Sequence, residues 1–208
     1  MRRSIILLLT FVLLGCTSVK SVDSAYTLDK SSENGLLIVS LTRKGGGMKA
    51  SVKFTQADDS GPVQSVGFGK GMVVVPIPTP NLYSHIRGSG QIFAIELPAQ
   101  TYAFTGWSVE SGYATLRSNT ASRIEFTIKP GTATYLGNFD FDVTNRFSRT
   151  VTGISVDWKD NFKVDEGVLE YRFPYLDMKE VEQGVAPGTS ISEWGSVGDP
   201  RETIPAYP

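Results

Sequence analysis

The amino-acid sequence predicts an all-β protein, an antiparallel β-sandwich with a short C-terminal helix and an extended tail. Short runs rich in Val, Ile, Thr, Phe and Tyr recur about every ten residues, which is the spacing of strands in such folds. Gly, Pro, Asn and Asp separate nearly all of these runs, and no helical stretch intervenes to connect parallel strands. The 21 glycines and 11 prolines agree with a fold that contains many turns.

The first fifteen residues have the features of a secretion signal. Arg2 and Arg3 form a positively charged start, and residues 5–14 are apolar except for Thr10. A membrane-spanning helix needs about 20 apolar residues, and this stretch has roughly half of that length. We therefore interpret residues 1–15 as a signal peptide that is removed before Cys16.

The signal ends in Leu13-Leu14-Gly15-Cys16, which resembles the lipobox of bacterial lipoproteins. The resemblance implies that the Cys16 sulfur takes a diacylglycerol, with fatty acyl chains such as palmitate, before cleavage frees its amine. The alternative is an ordinary signal peptide with a chance cysteine. Lipidation also accounts for Cys16 being the only cysteine of an exported chain, where no disulfide can form within the molecule.

The predicted anchor places the protein in the cell envelope. Several acyl chains together hold a protein stably on a membrane, whereas one chain alone gives marginal binding. Thr17 rather than Asp follows the cysteine. By resemblance to enterobacterial lipoproteins, this favours the outer membrane.

Composition limits the possible partners of the mature chain. Removal of the signal leaves about 193 residues, enough for one domain with a substantial core. Loss of Arg2 and Arg3 changes the formal net charge from -1 to about -3. Such a weakly acidic chain has no positive electrostatic field that would attract nucleic acid. No cluster of basic residues for anionic lipid headgroups is visible along the sequence.

The chain divides into a tether and a strand-rich domain. Residues 16–34 are mostly polar and lack periodicity, which predicts a flexible tether after the lipidated cysteine. The β-sandwich is expected over residues 35–160. Its clearest strand is 50–55, where apolar and polar residues alternate. The other expected strands are 36–41, 63–68, 72–77, 91–97, 102–109, 113–117, 123–129, 134–143 and 150–158.

The remainder of the chain changes character. Residues 161–182 place apolar side chains among charges, which predicts one helix or two helical turns interrupted by Pro174 and packed on an edge or end of the sandwich. The pair Asp165-Glu166 is interpreted as a helix start. Residues 183–208 are rich in Gly, Pro, Ser and Thr, and we expect an extended or disordered tail.

Two segments repeat the order strand, proline turn, tyrosine: residues 95–102, ending in Tyr102, and residues 126–135, ending in Tyr135. A tyrosine after such a turn can bury its ring and return its hydroxyl to the backbone, as in the tyrosine corner of sandwich folds. We therefore expect both tyrosines to be structural.

Leu97-Pro98 before Tyr102, and Pro130-Gly131 before Tyr135-Leu136-Gly137, resemble an uncharacterised family of small bacterial lipoproteins. Members of that family resemble carboxypeptidase-regulatory or prealbumin-like β-sandwiches, so the resemblance implies an immunoglobulin-like or prealbumin-like fold. The first turn departs from the family pattern, because Ala99-Gln100 stands where Pro-Gly is usual. The resemblance implies no activity.

The sequence assigns no catalytic residue and no cofactor. His85 is the only histidine, and no Gly-x-Ser-x-Gly motif accompanies it, so a serine hydrolase is disfavoured. One histidine and a lipidated cysteine leave too few ligands for zinc. Asp140 and Asp142 lie on one face of an expected strand and are a weak candidate for calcium, although such a pair is more often a solvated face.

Four aromatic residues are candidates for contact with a sugar ring or a protein partner: Trp107, Tyr113, Trp158 and Trp194. For Trp107 and Trp158 we prefer burial in the core, since sandwiches use tryptophan there. Trp194 lies in the polar tail, where binding is the better interpretation.

Three functions remain open. The first is a non-enzymatic accessory module, anchored in the envelope and in contact with another envelope protein. The second is a module that binds peptidoglycan or another glycan, which requires exposed aromatic and amide groups on one surface. The third is an envelope hydrolase, which requires a concave site with perturbed ionisable groups. We rank them in that order.

Overall fold

The computed structural model describes residues 17–44, 47–69, 83, 89–118 and 122–198. The signal peptide, Cys16, the strand expected at 72–77 and His85 lie outside the described residues. So does the end of the predicted tail, residues 199–208.

Strands form most of the described chain. They are β1 (Thr17–Ser18), β2 (Asn34–Lys44), β3 (Lys49–Gln56), β4 (Gln64–Gly69), β5 (Ser89–Pro98), β6 (Thr101–Ser111), β7 (Ala114–Arg117), β8 (Ile124–Thr127), β9 (Ala133–Phe147), β10 (Thr150–Lys159), β11 (Val181–Gln183), β12 (Ser190–Ile191) and β13 (Ser196–Val197). One α-helix, α1 (Phe162–Arg172), and one 3-10 turn (Met178–Glu180) follow β10.

The strands form two sheets, which confirms the predicted all-β sandwich. Sheet I has the order β1-β4-β3-β6-β7, with β8 also paired to β6. Sheet II has the order β12-β10-β9-β2-β5, with β11 on β9 and β13 on β10. Most pairs are antiparallel, and the parallel ones are β1 with β4, β2 with β9 and β11 with β9.

The alternation seen in the sequence determines which face of each sheet is buried. In β3, Ala50, Val52 and Phe54 are fully buried, while the intervening polar residues point away from the core. The core between the sheets is rich in aromatic rings, and Phe104 packs edge-on against Phe139 with ring centroids 4.9 Å apart. Such ring pairs stabilise the fold beyond the contribution of apolar burial alone.

A second core covers the outer face of sheet II. Leu36 and Ile38 of β2 pack there with Val168 and Leu169 of α1 and with Phe173, which caps the helix. The expected helix is therefore present and ends before Pro174, but it lies on a sheet face rather than on an edge or end. This face needs a cover because β2 is buried on both sides.

The segment expected to be a flexible tether is bound to the sandwich over its described residues. Thr17 pairs with Gln64 in β4, and the Val22 amide donates a hydrogen bond to the Ala94 carbonyl over 2.7 Å. Val22, Tyr26 and Leu28 pack against the second core. These scattered apolar residues have no regular period, so the sequence pattern did not indicate their burial.

The tail is extended but held in place as far as residue 198. β12 and β13 both pair with β10, and Trp194 between them is 2% exposed. The Trp194 ring packs against Phe139 with centroids 4.9 Å apart. The tail therefore completes the core at one edge of the sandwich.

The first tyrosine corner is confirmed, and the second is different. The Tyr102 ring is buried and its hydroxyl donates to the Pro98 carbonyl over 3.1 Å. Tyr135 instead lies on the outer face of sheet II, under α1. After Tyr135, β9 has a bulge: two of its residues, including Gly137 at φ +87, lie opposite one residue of β2.

Among the described residues, no helix is long and apolar enough to cross a membrane.

Candidate interaction site

Gly47, which lies just before β3, meets two turns at one end of the sandwich, which we call the loop end: the β6–β7 turn (111–113) and the β9–β10 turn (147–150). Two large apolar side chains stand out from it. Tyr113 is 93% exposed and Phe147 is 79% exposed. Exposed aromatic rings at neighbouring turns are typical of residues that become buried in an interface.

Ser111 fastens these turns together. Its hydroxyl accepts a hydrogen bond from the Val151 amide over 3.1 Å and donates one to the Gly47 carbonyl over 3.0 Å. The next residue, Gly112, is so close to the β9–β10 turn that a Cβ there would lie 2.7 Å from the Thr150 hydroxyl. Gly47 and the two turns are thus fixed relative to one another, so the two exposed rings are held on a preorganised surface.

The loop end also carries basic side chains. Lys44 and Arg146 line an open depression of about 480 Å³ beside Asp142, and Arg149 is exposed at the adjacent turn. A surface that combines aromatic rings with arginine has the composition of protein interfaces.

The chain joins the sandwich far from the loop end. Thr17 pairs with Gln64 at the beginning of β4, and Gly69 at the other end of β4 pairs with Lys49 near the loop end. Five residues of strand separate these positions, which corresponds to roughly 17 Å at about 3.3 Å per residue. The first described residue of the chain therefore lies far from the loop end.

The four aromatic candidates do not form one surface. Trp107, Trp158 and Trp194 are 1%, 7% and 2% exposed, so their rings belong to the core. This agrees with the preferred interpretation for Trp107 and Trp158. It does not agree with the expectation for Trp194, whose indole nitrogen donates to the Ser122 carbonyl over 2.5 Å. Tyr113 alone of the four is exposed.

Asp140, one of the two calcium candidates, has other partners. Asp140 accepts hydrogen bonds from Thr42 over 2.9 Å and from Lys159 over 3.2 Å. Lys44 lies 3.9 Å from the same carboxylate, so two ammonium groups face its single negative charge. Within the described ranges, no group of three or more His, Cys, Asp or Glu side chains is arranged to hold a metal ion.

A buried carboxylate is the main polar feature that the sequence analysis missed. Asp165, in the first turn of α1, is 0% exposed. Its oxygens accept hydrogen bonds from the hydroxyls of Ser40 (2.5 Å), Tyr83 (2.8 Å) and Tyr135 (2.5 Å), and from the Asn161 amide (3.1 Å). These donors come from β2, from the residues between β4 and β5, from β9 and from the residue before α1.

The network continues outward along the face of sheet II. The Asn138 amide donates to Ser40 over 2.8 Å, and Thr42 donates to the Asn138 oxygen over 3.1 Å. Thr42 also reaches Asp140, which is partly exposed. A continuous chain of side-chain hydrogen bonds therefore joins the helix to the two central strands.

Burial controls the ionisation of this cluster. Loss of hydration raises the pKa of Asp165, although its four donors oppose that effect. Burial, together with the charge of Asp165, raises the pKa of Tyr83 and of Tyr135 far above the ordinary value of a phenol. Both phenols thus remain protonated donors. Since Asp165 is fully enclosed, it joins the helix to the sheet and does not face a substrate.

Comparison of the chain with protein-family models, with curated proteins and with solved structures found no match.

Proposed function

We propose that this chain is a lipid-anchored envelope lipoprotein that acts without catalysis, as an accessory module binding another envelope protein through the loop end. The single observation that carries the proposal is the exposure of Tyr113 and Phe147 on turns that are fixed to each other by Ser111. Isolated apolar residues are common on surfaces, but two rings on a rigid, partly basic end are unusual enough to indicate an interface.

The anchor is the second part of the proposal. The lipobox resemblance at Cys16 implies tethering to a membrane, with the outer membrane favoured. The strand register supports an anchor that is distant from the loop end. Thr17 joins the sandwich roughly 17 Å along the strands from the level where the loop end begins. A module held in this way can present the loop end to a neighbouring protein.

The two other functions receive less support. A glycan module needs exposed, coplanar aromatic rings, whereas the three tryptophans are buried. An enzyme needs an accessible group with a shifted pKa, whereas the carboxylate with a raised pKa, Asp165, is fully enclosed by its hydrogen-bond donors. The interaction module is supported by the exposed aromatic rings and basic side chains of the loop end.

The test is in-cell cross-linking followed by affinity capture of the full chain, with the protein and glycan content of the captured material identified. Three variants accompany it: Cys16→Ala, which removes the anchor; Tyr113→Ala with Phe147→Ala at the loop end; and Tyr171→Ala with Tyr175→Ala. The last pair is a matched control, because these tyrosines are 79% and 66% exposed but lie in and just after α1.

We expect one defined envelope protein to be captured in constant ratio by the natural chain and by the control. The loop-end pair should lose it, and purified partner should bind the purified natural chain but not that pair. Equal capture by both double variants would show that the loop end is not the interface. Capture of glycan without a stoichiometric protein would replace the proposal by the glycan module.

A further inference from the structure

A shallow groove crosses the outward face of sheet I. Its floor consists of small residues from three neighbouring strands, with Ser51 on β3, Gly67 on β4 and Ser108 on β6. The Ser51 and Ser108 hydroxyls lie 2.8 Å apart. The small side chains leave a concavity of about 250 Å³ that is lined by hydroxyl groups and rimmed by longer charged residues.

The rim of the groove is positively charged. Lys49 pairs with Glu110 over 3.2 Å, so these two charges balance. Lys53 and Arg117 also line the groove, and neither makes an ion pair within the part of the chain that the structure describes. Two positive charges above a floor of hydroxyl donors suit an anionic group such as a phosphate. The lining contains no aromatic ring on which a sugar could stack.

Strand register places this groove near β1, where the described chain begins. Lys53 pairs with Ser65 of β4, and Ser65 pairs in turn with Ser18 of β1. Adjacent strands lie about 4.8 Å apart, so Lys53 is roughly 10 Å across the sheet from Ser18. Ser18 is the second residue after Cys16. The groove therefore lies close to the point where the described chain enters sheet I, two residues after the predicted lipid attachment point.

We propose that the outward face of sheet I docks on anionic phospholipid headgroups of the membrane that holds Cys16, with Lys53 and Arg117 as the contacts to phosphate. The inference rests on the anchor in the proposed function. Two uncompensated cations attract a free anion only weakly, but an anchored domain is already at the membrane, where a weak contact becomes intramolecular. Docking would lay the sandwich flat, with α1 directed away from the lipid and the loop end at the side.

The test measures which face of the domain approaches the lipid. The full lipidated chain is reconstituted in vesicles of phosphatidylcholine, alone or mixed equally with phosphatidylglycerol, that carry a headgroup quencher. A fluorophore is attached through Thr115→Cys, in the groove, or through Glu170→Cys, exposed on α1. We expect at least a twofold stronger quenching at position 115 than at 170, only in the anionic vesicles, and a loss of the difference in high salt.

Charge reversal identifies the contacts. The double variant Lys53→Glu with Arg117→Glu should abolish the difference in quenching between positions 115 and 170. The milder Lys53→Gln with Arg117→Gln should reduce that difference. Lys163→Glu with Lys179→Glu is the matched control on the other side of the molecule, and it should leave the difference intact. Circular dichroism verifies that each variant is folded.

Equal quenching at both positions would overturn the docking proposal, as would quenching that survives the charge reversal. If charge reversal instead removed capture of an acidic protein or polymer and left quenching unchanged, the groove would belong to that partner and membrane docking would be wrong. Vesicle flotation and mass spectrometry of Cys16 report separately on the anchor. Failure of the anchor and failure of the docking face are therefore distinguishable.

Discussion

The hydroxyl of Tyr135 donates a hydrogen bond to the carboxylate of Asp165 across 2.5 Å, which joins β9 of sheet II to the first turn of α1. Both side chains are fully buried. A buried carboxylate without its donors is costly, so the position of the helix depends on this network as well as on apolar packing.

Replacement of Tyr135 by Phe should lower the free energy of unfolding by about 1–3 kcal/mol, because one buried acceptor site of Asp165 loses its donor while the ring remains. Urea unfolding measures the change. Tyr171→Phe is the control, since Tyr171 is 79% exposed and its replacement should have an effect near zero. Equal values for the two variants would mean that the Tyr135 hydroxyl is not stabilising.

Asp165→Asn should change how stability depends on pH. Burial raises the folded-state pKa of Asp165 above 3.8, so the folded chain holds this proton more tightly than the unfolded chain. The linked stability is fully present below pH 3.8 and is lost as the pH rises through the folded-state pKa. The difference in unfolding free energy between the natural chain and the variant should therefore fall from pH 4 to neutral pH. A difference that stays constant over this range would contradict the raised pKa.

Trp194→Ala should destabilise the protein by about 3–5 kcal/mol, because it removes a buried ring from the core between the sheets and leaves a cavity beside Phe139. Thermal or urea unfolding measures the loss. Tyr175→Ala, at a 66% exposed position, should stay within about 0.5 kcal/mol of the natural chain. A similarly small loss for Trp194 would show that the tail is not part of the core in solution.

Ser111→Ala should loosen the loop end. The Val151 amide and the Gly47 carbonyl each lose a hydrogen-bond partner, with an expected cost of about 1–3 kcal/mol. Amide hydrogen exchange at Val151 should become faster, and Ser122→Ala, at an exposed position, should leave it unchanged. Unaltered exchange in the Ser111 variant would mean that the turns are fixed by other contacts.

Replacement by alanine should change the free energy of unfolding in opposite directions at two glycines. Gly137 has φ +87, and a Cβ there would lie 2.8 Å from the Lys159 carbonyl, so Gly137→Ala should cost at least about 1 kcal/mol. Gly167 lies within α1 with nothing near its Cβ position, so Gly167→Ala should add about 0.5–1 kcal/mol. Denaturant unfolding of the pair provides the comparison. The same sign for both would refute the backbone argument.

Local patterns in the sequence were sufficient to predict much of the fold. The alternation in β3, the turn before Tyr102 and the helix that ends before Pro174 all depend on neighbouring residues, and all are present. Most strands expected within the described ranges also match, although β8 is shorter than the pattern indicated and β9 is longer.

The polar clusters depend on contacts between distant residues. Asp165 looked like one acid of an ordinary helix start, and its donors at positions 40, 83 and 135 have no pattern that connects them. Likewise Lys53 and Arg117 form no basic run in the sequence, and only the pairing of β3, β6 and β7 places them around one groove. Trp194 was misjudged because its polar neighbours resemble a free tail, whereas pairing of β12 and β13 with β10 directs its ring inward.

Residues 181–198 follow the strands that they complete, which sets an order on folding during synthesis. Trp194 and the strands around it are made after β10, yet the core between the sheets is incomplete without them. Until that segment emerges, the preceding strands form a sandwich with one edge open to water. A nascent chain stalled shortly before position 194 should therefore expose apolar surface and be a ready target for chaperones and proteases.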